Sequence, residues 1–62
     1  MQVKNEELRT TRELARETNA IVAALSSGDV EKVVVTQGGK FVAVMITPAQ
    51  YDDLQSNHVD VN

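Results

Sequence analysis

The segment Val33 to Met45, VVVTQGGKFVAVM, sets two apolar runs on either side of a Gly-Gly pair, and no other segment constrains the fold as tightly. Its β-branched and aromatic residues favour strands. Gly38-Gly39 suits a two-residue hairpin turn in which both central residues take positive φ. On such a turn Val35 lies opposite Val42 and Val33 opposite Val44, with Ile46 continuing that face. The other face then carries Lys32, Val34, Thr36, Phe41, Ala43 and Met45, and is polar only at its ends. An antiparallel pair with one wet face alternates apolar and polar residues, and this one does not. A helix of the same chain can cover one face; the second requires another chain. A one-residue bulge would exchange cross-strand neighbours and still leave both faces apolar.

Chain length points the same way. The 62 residues make one domain, and a domain of that size buries only about 60% of the surface its unfolded chain exposes. Small scaffolds are usually supported by disulfides, a metal or a partner subunit. With no cysteine and His58 as the single histidine, the partner subunit remains and no cofactor is expected. Lack of cysteine suits a reducing compartment. The opening MQVKNEELRTTRELARE has no apolar stretch for a signal peptide, and no run approaches the ~18 residues of a membrane span. The reading is a cytoplasmic homodimer.

Helices flank the hairpin. Thr10 with Glu13 three residues on is a capping box, so a helix starts near Thr11. Leu14, Ile21, Val22 and Leu25 recur on one side of it, with alanines between. Thr18-Asn19, two poor helix formers, predicts a kink or a division into two short helices, and Gly28 predicts the stop. Before this helix, Leu8-Arg9-Thr10 can add a short strand. After the hairpin, Thr47, Pro48 and Gln50 form a second helix start, from which Tyr51 and Leu54 can pack down. Residues 1–55 are thus read as the folded domain and residues 56–62 as a polar tail.

The features that carry chemistry point away from an enzyme. QGGK lacks the Walker spacing, the Ser or Thr after Lys, and the following helix, and reads as a turn. Asp52 and Asp53 are sequence neighbours, which point in different directions on a helix. His58 has no partner for metal binding or nucleophilic catalysis. Charge is more informative than catalysis. The net charge is -3, which argues against binding nucleic acid by bulk positive charge. Yet Arg9, Arg12 and Arg16 cluster near the start, whereas Asp52, Asp53 and Asp60 follow the last strand without a basic neighbour. Arg12 and Arg16 lie one helical turn apart beside a helix N-terminus, an arrangement open to two readings. One is local ion pairing with the interleaved Glu13 and Glu17; the other is a phosphate or guanine contact, for which arginine's planar fork is suited.

In order and spacing, TTRELARETNAIVAAL followed by KVVVTQGGKFVAVMITPAQYDDL resembles the N-terminal domain of the Phd/YefM antitoxins over about residues 8 to 54. The resemblance rests on the Thr before an Arg-Glu-Leu helix start, on Thr36, Gly39, Lys40, Val42, Ala43 and Val44 in the hairpin, and on Tyr51 and Leu54. It implies a small α+β domain, an antiparallel hairpin sheet with helices on one face, that dimerises through its sheet. It further implies a type II antitoxin that binds operator DNA, represses its own operon and inhibits a cognate toxin, commonly a ribonuclease or translation inhibitor, through its C-terminal region. On that reading Arg9, Thr10, Thr11, Arg12, Arg16 and Lys40 contact DNA. Val34, Phe41, Ala43 and Met45 form the dimer interface, and Tyr51, Asp52, Leu54 and Val59 meet the toxin. Two departures stand out. Gln37, Gly38 and Ala15 occupy positions where the family often has arginine, and the family's toxin-wrapping tail runs well beyond the Tyr-x-x-Leu helix. The competing reading is a dimeric module that grips a protein partner without binding DNA.

Overall fold

The computed structural model describes residues 1–58, with the side chains of residues 57 and 58 left aside. A short 3-10 turn, Asn5–Glu7, leads into strand β1 (Leu8–Thr10). Helices α1 (Thr11–Arg16) and α2 (Thr18–Ser27), the hairpin strands β2 (Val33–Gln37) and β3 (Lys40–Met45), and helix α3 (Pro48–His58) follow. The fold is α+β. Its sheet is mixed, with β2 in the centre, β1 parallel to it on one side and β3 antiparallel on the other. The strand expected at Leu8-Arg9-Thr10 therefore forms, and it turns a two-stranded hairpin into three strands.

Local chemistry sets the helix starts, and the end of α2, where the sequence placed them. At the start of α1 the Glu13 amide donates to Thr10 Oγ1 (3.0 Å) and the Thr10 amide to Glu13 Oε1 (2.8 Å), a complete capping box. The helical path breaks at Glu17 (φ -121, ψ 28), where the Thr18 hydroxyl donates to the Leu14 carbonyl at 2.6 Å and α2 begins. This is the predicted division into two helices. Gly28 ends α2 at φ 86, a conformation a side chain would disfavour. The same box recurs at α3, where the Gln50 amide donates to Thr47 Oγ1 (3.2 Å) and the Thr47 amide to Gln50 Oε1 (2.9 Å). Gln50 Nε2 also donates to the Glu31 carbonyl at 2.8 Å, tying the first turn of α3 to the approach to β2. Helix α3 runs to His58, past the expected end at Gln55; Ser56 and the residues up to His58 include no Pro or Gly to stop it. Val59 to Asn62, including Val59, expected to meet a toxin, lie outside the described residues.

Ile21 and Leu25 of α2 pack on Val33 and Val35, with Leu14, Val30 and Met45 at the margin. Val22, expected on the same side, is exposed, because it lies about 100° around the helix from Ile21. Tyr51 and Leu54 are also exposed and do not pack down.

The hairpin register differs from the simple one. Gly38 (φ 59) and Gly39 (φ 78) make the two-residue turn, and Gln37 and Thr36 face Lys40 and Phe41 as a tight turn requires. Beyond Thr36 the ladder shifts by one: Val35 pairs with Ala43, Val34 with Val44 and Val33 with Met45. Val42 is the extra residue of a bulge, and one extra residue carries every later side chain of β3 to the opposite face. Ala43 and Met45 thereby join Val33 and Val35 on the α2 side, while Val44 joins Val34.

Candidate functional site

The parallel register of β1 brings together residues that are far apart in sequence. Thr10 is level with Thr36, and Thr36 with Phe41, so the cap of α1 and the first turn residues of β3 lie about two strand spacings, roughly 10 Å, apart. At this one end of the sheet stand Thr10, Thr11 and Arg12 from the β1–α1 junction and Gln37, Gly38, Gly39 and Lys40 from the hairpin turn. All seven are exposed. Among the described residues Arg12 and Lys40 enter no ion pair. The two cations stand beside hydroxyl and turn-amide donors.

The remaining arginines separate from this group. Arg9 sits on β1 level with Val35, half-buried, with its Nη1 donating to the Leu8 carbonyl at 2.7 Å. It lines a small cleft with Glu6, Glu17, Ala20, Ala24 and Val30 on the helix side of the sheet. Arg16, a turn beyond Arg12, pairs with Glu17 at 3.7 Å with both side chains well exposed, a contact of little energetic weight. The cluster read from the sequence as three arginines and Lys40 thus divides: Arg12 and Lys40 share the sheet end with Thr10 and Thr11, and Arg9 and Arg16 lie apart from it.

The residues expected at the dimer surface fall in different places. Val34, between Leu8 and Val44, is fully buried within the single chain, and Met45 packs at the edge of the helix-side core. Ala43 is exposed. The large apolar side chains left open on the sheet are Phe41, Val42 and Val44, at 57, 52 and 46% exposure, all on the edge strand β3. On α3, Tyr51 and Leu54 are open, alongside the exposed Asp52 and Asp53. The Tyr51 hydroxyl accepts from Gln55 Nε2 at 2.6 Å. Leu54, Asp53 and Gln50 form one wall of a groove of about 430 Å³ that Met1, Glu31, Lys32 and Ile46 complete.

Glu7 is 2% exposed, the only charged residue buried among those described. Its Oε1 accepts the Lys4 amide at 2.9 Å and meets Lys32 Nζ at 3.2 Å. The Lys4 amide bond holds its carboxyl below the ordinary range; burial opposes that shift, and the Lys32 ammonium adds to it. Nothing in the sequence pairs residue 7 with residue 32, because their approach follows from the parallel register of β1.

Among the described residues no three His, Cys, Asp or Glu side chains stand together as a metal site, and no helix is long and apolar enough to cross a membrane. No known protein-family model, curated protein or solved structure matches this chain.

Proposed function

We propose that the chain is the dimerising, DNA-binding part of a type II antitoxin. In this reading a homodimer holds operator DNA at the sheet end where β1 meets the hairpin turn, represses its own operon, and contacts a toxin through α3 and the residues after it. The observation that carries the proposal is the placement of Thr10, Thr11 and Arg12 at the same end of the sheet as Gln37 and Lys40, across two strand spacings. Unpaired cations beside hydroxyl and amide donors are the groups that hold phosphates and fix a protein's register on a duplex. The charge of -3 does not oppose this, because charges balance up to Ile46 and the excess acid is Asp52, Asp53 and Asp60, beyond the last strand. Support also comes from the sequence resemblance to the Phd/YefM antitoxins, and from the open apolar row on β3, which suits a second copy. On α3, Tyr51 and Leu54 would supply affinity for a basic partner such as a ribonuclease, while Asp52 and Asp53 would chiefly raise the association rate.

The test is a titration of a duplex taken from upstream of the chain's own reading frame, repeated over a range of salt concentrations. Arg12→Ala and Lys40→Ala should each weaken binding, and each lost phosphate contact should flatten the slope of log affinity against log salt by about one unit. Arg16→Ala should matter less. Unchanged affinity in the Arg12→Ala/Lys40→Ala double variant would remove the DNA interface and leave a dimeric module that binds protein alone.

A further inference from the structure

We propose that Glu7 is a positioning residue. Its buried pair with Lys32 latches β1 onto the sheet, so that breaking the pair opens β1 as a unit while α2 and the hairpin stay folded. The core cluster of Leu14, Ile21, Leu25, Val30, Val33, Val35 and Met45 has no member from the first ten residues. Within that segment Glu7 is the one buried side chain, Leu8 is half-buried and Thr10 exposed. What holds the segment is a three-residue parallel ladder, a pairing slightly weaker per residue than an antiparallel one, the half-buried side chains of Val3, Leu8 and Arg9, and the Glu7 carboxylate. That carboxylate closes the 3-10 turn through the Lys4 amide and reaches Lys32 at the foot of β2. Both charges are withdrawn from water, with the Lys32 side chain 17% exposed. Loss of either partner strands the other, the costly way to break an ion pair.

The latch matters because β1 ends in Thr10, the cap of α1 and the inner edge of the sheet end that carries Arg12. This consequence rests on the DNA-binding reading; the latch itself does not. Both are separable by experiment on the whole chain. Amide exchange under native conditions should show Leu8 to Thr10 exchanging about tenfold faster or more in Glu7→Gln, with the amides of α2 and β3 at wild-type rates. The Glu7→Gln/Lys32→Met double variant, which leaves no stranded charge, should recover much of that protection. Equal acceleration in α2 and β3, no acceleration in β1, or failure of Glu7→Gln to fold would each overturn the latch. In parallel, Glu7→Gln should bind the upstream duplex several-fold more weakly at unchanged dimer mass. Wild-type affinity with β1 opened would overturn the positioning role. A wild-type chain that binds no duplex would end the DNA reading while the exchange data still decide the latch.

Discussion

The Glu7 carboxylate gives the fold a site of acid sensitivity at one residue. Its folded value lies below the ordinary 4.5, so the stabilisation it provides is complete above that value and is lost as pH falls through the folded one. Comparison with Glu7→Gln isolates this, since the two proteins differ in that one group. Wild type should be the more stable at pH 7, and the difference between the two denaturation midpoints should shrink steadily below about pH 4.5. A difference independent of pH would mean that the carboxylate's charge is not what the site uses. The arginines show why such residue-level assignments need geometry: Arg9 and Arg12 are three positions apart, yet one faces the α2 side of the sheet and the other stands at its end.

At the scale of elements, short-range chemistry sets the boundaries, and two substitutions measure it. Thr10→Ala removes the acceptor for the Glu13 amide and should cost about 1 kcal/mol in chemical denaturation. Gly39→Ala should cost about 1 kcal/mol or more, because φ of 78 disfavours a side chain even though an added Cβ would meet nothing within 4 Å. Gly39→Asn should be milder, since asparagine tolerates the left-handed region. An equal loss for Ala and Asn would assign the cost to something other than backbone conformation. The bulge at Val42 belongs to this scale too. It keeps the tight turn in register while redirecting the outer half of β3, and it decides that Phe41, Val42 and Val44 are the open row.

For the whole molecule, the balance of apolar surface is what calls for a second chain. Among the described residues five apolar side chains are buried, Ile21, Leu25, Val33, Val34 and Val35, while Phe41, Val42, Val44, Tyr51 and Leu54 are among those left open. Open apolar side chains on an edge strand invite pairing or cover. The homodimer proposed here predicts a melting temperature that rises with protein concentration, as it must when association stabilises the folded state. Phe41→Asp, at a position 57% exposed in the single chain, should abolish that dependence and halve the mass measured by sedimentation. A concentration-independent melt with the mass of one chain would overturn the dimer. Met45→Ala, by contrast, should lower stability through the core without changing the mass.

What the sequence determined by itself is everything decided within a few residues. Thr10 with Glu13 and Thr47 with Gln50 start helices, Thr18 divides one and Gly28 stops it, and Gly38-Gly39 turns the hairpin. These depend on hydrogen bonds and φ values that neighbours settle among themselves. The doubly apolar hairpin and the α+β class were legible for the same reason, since alternation, and its failure, is a local pattern. Tertiary structure alone decided the rest. The bulge that moved Ala43 and Met45 to the helix side, the burial of Val34, the grouping of Arg12 with Lys40 and the Glu7–Lys32 pair all follow from strand register. Register is a choice among near-equivalent alignments of one apolar run on another, and the whole packed sheet makes it.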